Sequence, residues 1–148
     1  RLIICGEKKD GFPALMQLVN LLNAQDYVEF LGIVSKETKI ELMQKCAIYL
    51  QPSRSEGFGV AILEAMSCGA PVITSPVCAV PEVVGDTAMM VDGSNSEEIA
   101  AAMESLLKNP SLDRDYGLRA RQRAVELFSY ERRRNDIQRI LNKVLHNS

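Results

Sequence analysis

One stretch constrains the fold of this chain more than any other: Glu56-Gly57-Phe58-Gly59-Val60-Ala61-Ile62-Leu63-Glu64, set between an apolar run ending at Pro52 and a second beginning at Pro71. Ala47 to Gln51 reads as a short strand, Pro52 to Glu56 as a turn, and Phe58 to Cys68 as a helix closed by Gly69 in the usual C-terminal position. Gly57 and Gly59 remove side chains where the free N–H groups of a helix start point outward, so an anionic ligand, phosphate above all, can approach the main chain closely. The helix is apolar nearly all round, with Phe58, Val60, Ala61, Ile62, Leu63, Ala65, Met66 and Cys68, the pattern of a helix buried between a sheet and its neighbours. Glu64 and Ser67 are the exceptions and share one face. A carboxylate at that depth must be paired, hydrogen-bonded or facing a pocket.

The spacing of Glu56 and Glu64 limits their chemistry, because eight helical residues rise roughly 12 Å. That separation does not suit a shared metal, nor a glycosidase carboxyl pair at about 5 to 9.5 Å. It suits a long ligand with hydroxyl-rich ends and phosphates between, such as a nucleotide sugar. Residue types alone leave a second reading open, in which Glu56 complements the helix dipole and Glu64 sits in a structural ion pair.

The rest of the chain alternates strand and helix. Leu2–Cys5 reads as a strand, Gly6–Gly11 as a polar turn, and Pro13–Ala24 as a helix with Leu15, Leu18, Val19 and Leu22 inward. Val28–Leu31 is the next strand, and Ser35 caps a helix running to about Cys46 with Ile40, Leu42, Met43 and Cys46 inward. Val72–Ser75 and Ala88–Val91 are the remaining strands, separated by a helical turn at Pro81–Val84. Five strands alternating with helices predict an α/β fold with a doubly wound parallel sheet, whose ligands bind beyond the carboxyl ends of the strands. The Pro52–Gly59 loop lies at one such end; Ser75–Pro81, with Glu82, lies at another. The glycine spacing of a dinucleotide fingerprint is absent both after the first strand and around Gly57 and Gly59.

Four helices follow: one begun by Ser96, Glu97 and Glu98 and stopped at Asn109-Pro110, a short one capped by Asn109 and ending near Gly117, then Leu118–Phe128 and Tyr130–Leu145. Asp113-Arg114-Asp115 imitates a metal-binding D-x-D, but residues i and i+2 diverge on a helix. The six arginines between Arg119 and Arg134 are interspersed with Glu126 and Glu131, the pattern of a solvated face. The only histidine, His146, lies in the tail and is expected in solvent, so a triad hydrolase lacks its base.

At 148 residues the chain is expected to form one domain. No apolar run approaches the ~20 residues of a membrane span, and a net charge of −2 gives no field attractive to nucleic acid. Cys5, Cys46, Cys68 and Cys78 form no C-x-x-C pair and read as reduced, buried thiols of a cytoplasmic protein.

Pro52-Ser53-x-x-Glu56-Gly57-Phe58-Gly59 through Glu64-Ala65-Met66-x-x-Gly69-x-Pro71-Val72-Ile73 closely resembles the donor-binding domain of the retaining glycosyltransferases of family four, which have the GT-B architecture of two Rossmann-like domains. The likeness extends through Val80-Pro81-Glu82-Val83-Val84-Gly85-Asp86 and Met90-Val91-Asp92, and upstream through Phe30-Leu31-Gly32-x-Val34. It implies a Rossmann-like C-terminal half of a GT-B fold, with C-terminal helices, binding a nucleotide-diphosphate sugar as donor without a metal cofactor. By resemblance, Glu56 is the catalytic residue, which contacts sugar hydroxyls and helps orient the anomeric carbon. The backbone of Gly57, Phe58, Gly59 and Val60 holds the sugar or its phosphates, Glu64 binds the ribose hydroxyls, and Gly32 and Val34 approach the base. Gly32 and Val34 read equally well as a plain strand-to-helix turn.

The family supplies an arginine and a lysine after the first strand of this domain. That segment would precede Arg1, as would the acceptor-binding half. The chain therefore reads as a fragment of a cytoplasmic protein or one at the cytoplasmic face of a membrane. Alone it is expected to be inactive, with a 3-2-1-4-5-6 sheet whose missing strand is replaced by altered pairing or dimerisation. The acceptor, whether sugar, lipid or protein, is not written in these residues. A non-catalytic Rossmann-type nucleotide-binding or interaction domain is the alternative; a sugar-nucleotide epimerase lacks a suitable histidine.

Overall fold

The computed structural model describes residues 1–146, the last of them without its side chain, so the expectation for the His146 side chain lies outside the described residues. Two compact units are present, Arg1–Lys39 and Ile40–Ser148. In the first, β1 (Leu2–Cys5) pairs in parallel with β2 (Val28–Gly32) around α1 (Phe12–Leu21). Phe12 on α1 meets Phe30 on β2 edge to face at 5.2 Å, a geometry that aligns ring edge with ring face. Val19 is the buried residue of α1; Leu18 and Leu22, expected inward, are exposed. Ser35 accepts from the Thr38 N–H at 3.1 Å, capping α2 (Lys36–Lys45) as its position requires.

The second unit holds a parallel sheet in the order β3 (Tyr49–Gln51), β4 (Val72–Thr74), β5 (Met89–Met90). The five strands thus form two sheets, β1-β2 and β3-β4-β5, each with parallel neighbours consecutive in sequence. Side chains alternate along β4, which is buried on both faces as a covered parallel strand must be. Val72 joins Ile62, Ala65 and Met66 of α3 (Val60–Cys68), the valines of α4 (Val80–Val84), and Ala120 and Ala124. Ile73 joins Val91 and, from α5 (Ser96–Lys108), Ala102 and Leu106. This double cover is the doubly wound α/β arrangement the alternation predicts.

Several expectations need correction. The helix after β3 begins at Val60, not Phe58, with Gly59 as its N-cap. It is not buried all round, since Phe58 is 47% and Val60 61% exposed. Its C-terminus is as expected: Gly69 adopts φ 81°, its N–H donates to Met66 O, and the Ala70 N–H donates to Ala65 O, a Schellman closure. Helix α5 begins at Ser96 as expected, and Asn95 caps it, accepting from the N–H groups of Glu97 and Glu98.

Gly117 does not end a helix. Pro110–Phe128 is one helix, α6, capped by Asn109. A Cβ on Gly117 would lie 2.4 Å from Gly69 O, so the glycine lets α6 cross the end of α3 in backbone contact. The arginines of α6 are only partly a solvated face. Arg123 donates to Val83 O and Glu82 O, both at 2.8 Å, and Arg119 to Asp86 O at 3.0 Å, so the pair clamps the carbonyl end of α4. The four cysteines are free, but Cys5 and Cys78 are exposed rather than buried. On α7 (Tyr130–His146), Ile137, Ile140, Leu141 and Val144 are exposed. No described helix is long and apolar enough to cross a membrane.

Candidate functional site

The carboxyl ends of β3, β4 and β5 are where a parallel sheet presents a ligand crevice. The loops leaving them are drawn together at Gly93, where a Cβ would lie 2.5 Å from Ser75 Oγ and 2.6 Å from Pro52 O. Only glycine fits there. From β3 the chain turns at Pro52 and runs through Glu56 into α3.

Glu56 is half-buried, with both carboxylate oxygens engaged. Gln51 Nε2 donates to Oε2 at 2.5 Å, and the Gly57 N–H donates to Oε1 at 3.1 Å. Gln51 is in turn fixed at three points: its Oε1 accepts from the Tyr49 hydroxyl at 2.6 Å, its carbonyl from Thr74 Oγ1 at 3.0 Å, and its strand pairs in register with Thr74. Tyr49 and Gln51 lie two apart on one strand and therefore on one face.

Gly59 sits at φ +82°, a left-handed conformation that favours glycine. A Cβ there would also lie 3.3 Å from Ile62 Cδ1 and 3.7 Å from Val80 Cγ2, so the start of α3 abuts α4 and the Ser75–Ala79 loop borders the same region. No side chain caps α3, and its first helical bond runs from Leu63 N–H to Gly59 O. The N–H groups of Val60, Ala61 and Ile62 precede that bond and point out of the helix end.

Phe58 packs edge to face on Phe128 at 5.9 Å, which anchors the loop to the end of α6. Glu64 lies one helical turn beyond Val60 and is half-buried. At the carboxyl end of α3, burial pushes the Cys68 thiol up; Arg121 opposes that shift and Glu64 adds to it. Because only residues 60–64 of the Glu56–Glu64 interval are helical, their helical rise is about 6 Å, half of what a continuous helix would give.

Gly32 and Val34 belong to the first unit. Gly32 closes β2 at φ +70°, its carbonyl accepting from the Gly6 N–H at 2.8 Å. Val34 follows it, half-buried. Lys8 Nζ stands 4.9 Å over the Phe12 ring, and a Cβ on Gly32 would lie 3.9 Å from the Lys8 side chain. In the imitation D-x-D, Asp115 accepts from Arg119 Nε at 2.8 Å.

Sequence reasoning missed Tyr49 and Gln51. The available signal was a glutamine ending an otherwise apolar, half-buried strand, since a polar side chain there needs a partner. It also missed the clamp by Arg119 and Arg123, whose partners are backbone carbonyls that no residue pattern displays.

A parallel, doubly covered sheet with an uncapped helix start and a tethered carboxylate at its carboxyl edge defines an α/β domain of the Rossmann-like class. Residues 1–123 match the family model of the glycosyl transferases, group 1, and the chain belongs to that family. It is 35% identical over 134 residues to the N-acetyl-alpha-D-glucosaminyl L-malate synthase of Bacillus anthracis, covering 89% of this chain and 34% of that one. It is 37% identical over 110 residues to O-antigen chain mannosyltransferase B of Escherichia coli, covering 74% of this chain and 29% of that one. The chain thus spans about a third of the length of the curated relatives it matches. Among solved structures, sucrose-phosphate synthase from Thermosynechococcus elongatus superposes with a TM-score of 0.86 at 25% identity, over 99% of this chain and 39% of that one. Anabaena HepE in complex with UDP and glucose gives 0.86 at 24% identity, over 95% and 40%, a likeness of fold.

Proposed function

We propose that this chain is the donor-binding part of a retaining glycosyltransferase that takes a nucleotide-diphosphate sugar and works in the cytoplasm or at the cytoplasmic face of a membrane. The observation that carries the reading is the Glu56 carboxylate, held by Gln51 and Gly57 beside the uncapped start of α3. A carboxylate with one bond on each oxygen keeps lone pairs for further donors, and sugar hydroxyls are such donors. Glu56 would contact those hydroxyls and orient the anomeric carbon.

The diphosphate would lie at the start of α3, where the N–H groups of Val60, Ala61 and Ile62 and the helix dipole favour negative charge. Gly57 contributes differently from the sequence expectation, because its N–H is already given to Glu56; its part, with Phe58 and Gly59, is to leave the main chain open to the ligand. Glu64, one turn on, would take the ribose hydroxyls. As the nucleotide diphosphate departs, the helix end stabilises the charge that develops, without reorganisation, and the reading assigns no step to a metal. In this proposal the chain binds donor weakly when alone, and transfer belongs to a polypeptide of the relatives' length. HepE, described with UDP and with UDP-glucose, supports the choice of ligand class.

Calorimetry with UDP-, GDP- and ADP-sugars on the wild type and on Glu64→Ala tests the reading. Binding that ignores Glu64→Ala would point to a nucleotide-binding domain with another site. Transfer of labelled sugar by the isolated chain would contradict the assignment of transfer to the longer polypeptide.

A further inference from the structure

We propose that Gln51 is a positioning residue for Glu56, and that Tyr49 sets the polarity of their contact. The inference rests on the reading of Glu56 given above and adds to it two residues outside the loop and helix that carry the motif.

An amide side chain has a donor end and an acceptor end of nearly equal shape, so its neighbours decide which end faces where. Gln51 meets a hydroxyl at one end and a carboxylate at the other. The carboxylate of ionised Glu56 accepts only, so Nε2 must face it, and Oε1 then faces Tyr49. A phenol can donate to that oxygen, and the Tyr49 oxygen lies 2.6 Å from it. The order Tyr49 O–H to Gln51 Oε1, Gln51 N–H to Glu56 Oε2 is thus self-consistent, and the reverse order sets oxygen against oxygen. Thr74 holds the Gln51 backbone to the central strand, so the amide is referenced to the sheet rather than to the loop. The loop carboxylate inherits that rigidity. Pairing of this kind fixes one oxygen's direction and leaves the remaining lone pairs for further donors, as precise positioning of a reacting group requires.

The test compares affinity for a sugar nucleotide with affinity for the matching nucleoside diphosphate; their ratio isolates the sugar's contribution. UDP-glucose with UDP, and GDP-mannose with GDP, are the probes, measured by calorimetry. Removal of a hydrogen bond to a charged group predicts that Gln51→Leu lowers the ratio about tenfold and leaves diphosphate affinity within about twofold. Tyr49→Phe lowers it about threefold in the same direction, and Gln51→Glu, which sets carboxylate against carboxylate, lowers it further than Gln51→Leu. A simple loss of fold would reduce both affinities together. If Glu56→Gln reduces the ratio and Gln51→Leu does not, the positioning role is overturned while the reading of Glu56 stands. If the wild type itself does not distinguish sugar nucleotide from diphosphate, the reading of Glu56 fails and takes the inference with it. A ligand-free measurement decides the relay independently: the side-chain amide proton resonances of Gln51 shift in both Tyr49→Phe and Glu56→Gln. Resonances unmoved by either substitution would overturn the proposal.

Discussion

Gly117→Ala separates two accounts of a glycine in the middle of α6, because they predict opposite signs. If the helix alone mattered, alanine would stabilise it by about 0.8 to 1 kcal/mol. The structure places the new Cβ 2.4 Å from Gly69 O, and an ordinary carbon–oxygen contact of about 3.3 Å needs a shift of about 0.9 Å. Neither side yields easily: Gly69 closes α3 in a left-handed conformation, and its neighbours Ala65 and Ala120 are fully buried in one core. Overpacking costs about 1 to 3 kcal/mol, and a clash with a backbone oxygen, which cannot swing aside as a side chain can, belongs to the upper part of that range, about 2 to 3 kcal/mol. The net expectation is a loss of about 1 to 2 kcal/mol, which for a chain of this size lowers Tm by about 2 to 8 °C. Thermal unfolding followed by circular dichroism, with urea midpoints in parallel, measures it. A variant as stable as the wild type, or more so, would refute the close-approach argument.

Cys78 is exposed with φ +48°, so Cys78→Gly removes left-handed strain and should raise stability by about 0.5 to 1 kcal/mol, read from the urea midpoint. Arg123→Ala removes two charge-assisted bonds to the carbonyls of Glu82 and Val83 and should cost about 1 to 3 kcal/mol, with Arg123→Lys recovering less than half because it lacks the fork. The Ser94 hydroxyl and N–H both donate to Asp92 and hold its carboxyl below its ordinary value of 3.8. The stabilisation is therefore present above the unfolded value and is lost as pH falls through the lower folded one. In Ser94→Ala, an NMR titration should show the Asp92 midpoint moving up.

The alternation of strands and helices, the Schellman closure at Gly69 and the caps at Ser35 and Asn109 were legible because each depends on residues close in sequence. What misled was glycine and arginine. Gly117 looks like a helix stop from its own neighbours, and only the backbone of residue 69, far along the chain, explains its presence within α6. Arg119 and Arg123 sit among acids, as solvated residues do, yet reach carbonyls more than thirty residues away. The same limit applied to the site. Glu56 and Glu64 stand out by spacing, whereas the support of Glu56 by Gln51 depends on which way a strand-end side chain turns into the loop.

Gly57 and Gly59 look alike in the motif but have different causes, and that difference gives a clean functional test. Gly59 needs its left-handed φ and would press a Cβ on Ile62, so any substitution there mixes folding with binding. A Cβ on Gly57 meets nothing within 4 Å, and its φ lies outside the left-handed region. Gly57→Ala should therefore leave Tm within about 2 °C, because no contact is lost and no strain added. If the main chain here is bare so that a ligand can reach it, the same methyl group occupies the ligand's space and should weaken donor binding about tenfold, as overpacking of about 1.4 kcal/mol would. Calorimetry with the sugar nucleotides and thermal melts on one preparation decide it. Unchanged binding with an unchanged melt would mean that no ligand approaches residue 57, and the cradle in front of α3 would have to be redrawn around the helix N–H groups alone.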